Sequence, residues 1–240
     1  MKTFSMTDTG ALRDMNQDYY FAAETGIGNL PNLFIVADGM GGHKAGDYAS
    51  RYTIERVVAS VSRCPEAEPV EILKEAIQKA NEILVTESNE DENKHGMGTT
   101  LVACTIIGHR MVVANIGDSR LYLLNKKIQQ ITRDHSLVEE MVRLGEMDEK
   151  AAREHPKKNI ITRAIGASDN VEADFFEVEL SEKDEILLCS DGLTNMVEDE
   201  EILSIVQESS NLEIQAERLV QTANEHGGKD NITVMIVKPF

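Results

Sequence analysis

"TTLVACTIIGHRMVVANIGDSRLYLLNKKIQQIT", Thr99 to Thr132, decides the fold. It strings strand-like runs, TTLVACTII, MVVANI, RLYLL and KIQQIT, one after another, with turns as short as GHR at 108–110 and NKK at 125–127 between them. Turns of that length join neighbours as hairpins, so the pairing is read as largely antiparallel. Strands that follow one another without a helix argue against a doubly wound parallel sheet.

Further strand-like runs flank this stretch: YYFAAE, LFIVA, FFEVEL, EILLCS and NITVMIV. Helical spacing is clearest in VEILKEAIQKANEIL, where Leu73, Ala76, Ile77, Ala80 and Leu84 share one face. Ser136 and Glu139 form a capping box ahead of Leu137, Met141 and Leu144, with a stop at Gly145. Ala216, Leu219, Val220 and Ala223 repeat the spacing before Gly227, and a further helix is expected after Gly46 with Ala49, Tyr52 and Val57 or Val58 facing inward. Helices in pairs around consecutive strands predict an α+β fold, an α-β-β-α sandwich of two mainly antiparallel sheets with helices on both outsides. No repeat, low-complexity tract or linker divides residues 1–240, so one domain is expected. The polar stretch at about 145–174 reads equally as a mobile subdomain beside the site or as a solvated excursion.

The chain has 240 residues, 41% of them hydrophobic, which suffices for a real core. Its 42 acids against 24 bases give a formal charge of −18, which repels phosphate backbones and anionic lipid. Nucleic-acid and membrane-surface binding are therefore excluded as leading functions. The first residues, MKTFSMTDTG, carry no apolar leader core, and no apolar run approaches the roughly 20 residues of a membrane helix, so a soluble, cytoplasmic protein is expected. A monomer is expected as well. Cys64, Cys104 and Cys189 are odd in number and widely spaced, which speaks against disulfides and against a cysteine-held metal.

Chemistry enters through aspartates. Asp38 follows LFIVA, Asp118 follows MVVANIG, Asp191 follows EILLCS and Asp230 precedes NITVMIV; each has a glycine within two residues, namely Gly39, Gly117, Gly192 and Gly228. A single Asp-Gly is an ordinary turn. Four at strand termini can converge at one edge of a sandwich, where like charges repel unless a cation sits among them. Oxygen ligands without a His or Cys cluster suit Mg²⁺ or Mn²⁺ rather than zinc, and the Gly39 carbonyl has no side chain to keep it from an ion. Two such ions about 3.5 to 4 Å apart can ready a shared water and clamp an anionic substrate, which predicts hydrolysis of a phosphate ester.

Arg13, in RDMNQD, suits bidentate binding of phosphoryl oxygens, the alternative being a surface arginine. His43 suits protonation of a leaving alkoxide, the alternative being a turn histidine at a helix start. His135 is read as structural, and His95, His109, His155 and His226 show no metal spacing.

Taken in order, RDMNQD, ADGMGGHKAG, GMGTTL, NIGDSR, RDHSLV, ITRAIG, SDGL and DNITV resemble the metal-dependent serine/threonine protein phosphatases of the 2C type, in their compact bacterial form. The resemblance implies dephosphorylation of phosphoserine and phosphothreonine in proteins at a two-ion Mn²⁺ or Mg²⁺ centre, with a third ion in bacterial members. It assigns Asp38 to bridge both ions, Gly39 to ligate through its carbonyl, and Asp191 and Asp230 to the second ion. Asp118 falls to the third, weaker ion, shared with Asp191. It gives Asp18 the task of holding metal-shell water, Arg13 phosphate binding and His43 general acid catalysis. The stretch after Gly145 matches a variable flap, and an opposing serine/threonine kinase is implied as a partner.

Two rivals are weaker. A dinucleotide fingerprint would need a third glycine where Lys44 stands, and Asp38 would repel a pyrophosphate. A catalytically silent phosphoprotein-binding module of the same fold would show a lost metal ligand, and none is missing.

Overall fold

The computed structural model describes residues 1–42 and 45–240. Two antiparallel sheets stack face to face. One has the order β1 (Lys2–Asp8), β11 (Ile232–Lys238), β10 (Glu185–Cys189), β7 (Arg120–Leu124), β8 (Ile128–Gln130). The other runs β2 (Asp18–Ala23), β3 (Leu33–Met40), β5 (Leu101–Ile107), β6 (Arg110–Ile116), β9 (Asp174–Glu179), with the two-residue β4 (Gly98–Thr99) pairing the end of β3. α1 (Ala45–Val61) and α2 (Pro69–Glu90) cover the second sheet, while α6 (Asp199–Gln207) and α7 (Leu212–Glu225) cover the first. The expected sandwich is the observed one.

Why the strands read as unbroken apolar runs follows from this layering, because both faces of each central strand are buried and successive side chains alternate between them. In β3, Leu33, Ile35 and Ala37 pack under α1 and α2, whereas Phe34 and Val36 enter the layer between the sheets. In β10, Leu187 and Cys189 face α6 and α7, while Ile186 and Leu188 point inward. The helix faces named from spacing are buried: Leu73, Ala76, Ile77, Ala80 and Leu84 on α2, and Ala216, Leu219, Val220 and Ala223 on α7. All three cysteines are buried, unbridged thiols. Among the described residues no helix is long and apolar enough to cross a membrane.

One apolar face is corrected, and two elements go beyond the expected ones. β1 is a full strand paired along its length with β11, although MKTFSMTDTG offers only Phe4 and Met6 as alternating apolar residues among hydroxyl side chains. In α3 (Leu137–Arg143) the Ser136 hydroxyl does accept from the Glu139 amide, but Val138 is the buried residue and Leu144 is 64% exposed, so the inward face lies one residue on from Leu137. The stretch after Gly145 contains a short helix, α4 (Glu149–Glu154), capped by Asp148 through the Ala151 amide.

Register brings one end of both sheets together. Asp18 stands opposite Asp38 across β2 and β3, the Thr100 amide donates to the Asp38 carbonyl (2.9 Å), and Arg120 stands opposite Cys189 at the same end of the first sheet. The chain crosses between sheets there three times, through residues 9–17, through the turn at 117–119 and through the long segment 131–173.

Phe34 is fully buried in the layer that joins the sheets. Replacing it by alanine (Phe34→Ala) is expected to cost about 3–5 kcal/mol of unfolding free energy, the usual range for a core phenylalanine. Urea denaturation measures it, and a loss below about 1 kcal/mol would mean that this layer does not hold the sandwich together.

Candidate active site

Five acids gather at the shared end of the sheets. Asp38 comes from the last turn of pleat in β3, Asp18 opens β2, Asp191 opens the short helix α5 (Asp191–Thr194) directly after β10, Asp230 precedes β11, and Asp118 sits in the turn between β6 and β7. Asp18 is buried; Asp38, Asp118, Asp191 and Asp230 are half-buried. β3 runs on to Met40, two residues past Asp38, because β4 pairs Gly39 and Met40. Arg13 reaches the same place from the crossing loop and donates through Nη2 to Asp230 Oδ2 at 2.7 Å, leaving its other donors for an anion. His43 lies outside the described residues.

The glycines beside these acids have identifiable reasons. A Cβ on Gly39 would fall 2.0 Å from the Gly46 carbonyl oxygen and 2.7 Å from that of Gln17, so the start of α1 can press onto β3 only without it. A Cβ on Gly192 would fall 1.9 Å from the Asn231 carbonyl oxygen; the absent side chain is what lets Asp191 stand next to Asp230. Gly117 has φ +98°, which β-carbon-bearing residues avoid, and a Cβ there would meet Thr100 Cγ2 at 2.5 Å.

Around the acids lies a layer of polar side chains to which sequence reasoning gave no role. Ser190 and Thr233 hydroxyls donate to Asp18 Oδ2 at 2.6 and 2.7 Å. The Thr100 hydroxyl accepts from the Asp38 amide at 2.9 Å and shares a 2.7 Å hydrogen bond with Ser119. Asn195 donates to Asp191 Oδ2 at 2.8 Å. Asn231 accepts from the Gln17 amide and donates to the carbonyls of Thr9 and Met15, fastening the loop that carries Arg13. These residues sit inside or beside the quoted motifs, and only their neighbours' chemistry marks them out.

Electrostatically the cluster is under tension. Burial, then the charges of Asp18, Asp191, Asp118 and Asp230, push Asp38 well above the ordinary carboxyl range. Burial and the neighbouring acids also raise Asp18, Asp118 and Asp191. Among the described residues no three Asp, Glu, His or Cys side chains already close around one point. The donor set nevertheless fits a hard divalent ion, for Mg²⁺ and Mn²⁺ take oxygen ligands, and Mg²⁺ in particular binds through one or two carboxylates while keeping several waters. Asp18 Oδ1 and Asp191 Oδ1 are buried oxygens without a hydrogen-bond partner, which buried carboxylates rarely tolerate uncompensated.

A profile of the family described as Protein phosphatase 2C matches residues 6–232. The serine/threonine phosphatase stp of Listeria monocytogenes serotype 4b is 43% identical over 237 residues, covering 97% of this chain and 93% of its own. The crystal structure of the serine/threonine phosphatase Stp1 from Staphylococcus aureus superposes with a TM-score of 0.92 at 34% identity, over 98% of this chain and 93% of that one. The catalytic domain of the serine/threonine protein phosphatase PstP, solved in complex with two manganese ions, gives a TM-score of 0.86 at 33% identity over 98% and 96%. The chain belongs to the protein phosphatase 2C family.

Gly192→Ala places a methyl against backbone and should destabilise the fold by about 1–3 kcal/mol, as overpacking does. Gly42→Ala, with nothing within 4 Å of the added carbon, should stay within about 0.5 kcal/mol of the parent. Chemical denaturation of both variants checks the contrast, and equal effects would show that the contact between Gly192 and Asn231 is not tight.

Proposed function

We propose that this chain hydrolyses phosphoserine and phosphothreonine in proteins at a centre of two Mn²⁺ or Mg²⁺ ions, with a third, weaker ion beside them. What carries the reading is the convergence of five aspartates on one end of the sandwich, two with a buried and unpartnered oxygen, in a chain of this family. A relative solved with two manganese ions supports the ion count for the central pair. The silent-module alternative loses ground, since each acid the chemistry needs stands in the cluster.

In this reading the central ion pair would be held by Asp38 and the Gly39 carbonyl together with Asp191 and Asp230, and the third ion would be held by Asp118 with Asp191. When bound, the ions supply Lewis acidity that makes water nucleophilic near neutral pH and offset the charge of the phosphoryl oxygens. Asp18, fixed by Ser190 and Thr233, orders water beside the ions through its free oxygen. Arg13 binds the phosphoryl oxygens, and its contact with Asp230 pre-positions the guanidinium. His43 gives its proton to the departing serine or threonine oxygen. Residues 145–174 act as a flap within one domain of 1–240. Phosphorylated proteins are the partners, a serine/threonine kinase among them, and the enzyme works as a monomer.

Hydrolysis of p-nitrophenyl phosphate should require Mn²⁺, stop with EDTA, and fall in Asp38→Asn by more than the 10–100-fold typical of residues that only support a metal ligand. Equal rates in all three conditions would overturn the reading. Arg13→Ala is expected chiefly to raise KM, whereas His43→Ala is expected to lower kcat for phosphoserine peptides by about 10²-fold or more while sparing the aryl ester, whose leaving group needs no proton. Equal losses on both substrates would remove His43 from the acid role.

A further inference from the structure

His135 is buried and no step above employs it. It lies between β8 and α3, and its backbone already ties two loops together: its amide donates to the Gly117 carbonyl at 2.9 Å and its carbonyl accepts from the Thr162 amide at 2.7 Å. The ring adds a third link. The Gly117 amide donates to His135 Nδ1 at 3.1 Å, so in the neutral ring the proton sits on Nε2. Nε2 faces Asp174 Oδ2 at 3.2 Å, and Arg163 Nη1 donates to Asp174 Oδ1 at 2.9 Å while lying 3.4 Å from Nε2. Burial holds His135 below the ordinary imidazole range, and the Arg163 charge works in the same direction against Asp174 and Asp134, which favour the proton. Burial alone would raise Asp174, yet its contacts with His135 and Arg163 leave it below the ordinary range.

The amide so held belongs to the residue before Asp118, in a turn where Gly117 has positive φ and no side chain of its own to anchor it. Asn115, opposite Asp174 across β6 and β9, donates to the Arg133 carbonyl at 3.0 Å and secures the near side of the same turn. Asp118 is half-buried among like charges, so only the surrounding frame keeps it from swinging away from them. We infer that His135 is a positioning residue, whose ring clamps the Gly117 amide and thereby sets where the Asp118 carboxylate stands, with Asp174 and Arg163 fixing the ring. This rests on the reading of Asp118 as a ligand of the third ion.

Two conservative substitutions divide the ring between its nitrogens. In His135→Asn the side-chain oxygen takes the place of Nδ1 and still accepts from Gly117. In His135→Gln the amide reaches the place of Nε2, keeps Asp174 and abandons Gly117. Amide hydrogen exchange of the 115–119 turn in metal-free protein should be faster in Gln and in Ala variants than in the parent, with Asn close to the parent. Manganese calorimetry on the full chain should show the weakest binding event loosened about 10–100-fold in Gln and Ala, the range for supporting residues around a metal, and largely restored in Asn. KM for a phosphopeptide at saturating Mn²⁺ should stay within about twofold throughout, since the substrate-binding groups are untouched. The inference is overturned if Asn and Gln behave alike, or if all variants melt lower while exchange of the turn and manganese binding stay as in the parent. Should Asp118→Asn itself leave manganese binding unchanged, the metal role of that acid is what fails, and the exchange contrast between Asn and Gln then decides whether His135 holds the turn.

Discussion

Carboxylates that are crowded together and partly withdrawn from water repel one another, and this repulsion is the constraint on which the rest of the molecule depends. Asp38 meets the charges of Asp18, Asp118, Asp191 and Asp230, and burial adds to the cost of its ionised form. A flexible scaffold would relieve the tension by letting the acids drift apart. This one does not, because Asp38, Asp118, Asp191 and Asp230 adjoin strands that are buried in three packed apolar layers, and Asp18 is tied to β3 by strand pairing. The energy that holds the site together therefore comes from the sandwich, and in the proposed reading divalent cations would supply the compensation at its edge.

The supporting polar residues divide that work. Ser190 and Thr233 hold one oxygen of Asp18 and leave the other unpartnered; Asn195 does the same for Asp191. Thr100 fixes the Asp38 backbone and leans on Ser119, so the strand that carries Asp38 and the turn that carries Asp118 are linked by hydroxyls. Asn231 closes the loop that brings Arg13 over Asp230. In the proposed reading the phosphoryl group is bound by a guanidinium whose approach is fixed in advance, which is how orientation lowers a barrier.

Much of this was legible in the sequence where one physical rule acted alone. The β5–β6 and β7–β8 pairings followed from hairpin turns, though the passage from one sheet to the other at 117–119 did not, and the α2 and α7 faces followed from helical spacing that tertiary packing had no reason to disturb. The first strand was not legible, since Lys2–Asp8 earns its place by pairing with Ile232–Lys238 at the other end of the chain, a contact that local pattern does not encode. The α3 face was misread because a seven-residue helix offers too few apolar positions to define a side. At the site, Asp38, Asp118, Asp191 and Asp230 announced themselves by recurrence with glycine, while Asp18 came only through the family resemblance. Ser190, Thr233, Asn195 and Asn231 did not, for a hydroxyl or amide beside a strand end is unremarkable until the register shows which carboxylate it meets.

The central claim, that the fold holds mutually repelling carboxylates for cations to offset, is tested most directly by thermal melting of the parent and of Asp38→Asn with and without Mn²⁺. Removing one charge from the cluster should leave the metal-free variant at least as stable as the parent, while the upward shift of Tm with added Mn²⁺, clear in the parent, should largely vanish. A metal-free variant that melts well below the parent and still gains the full manganese shift would contradict the account.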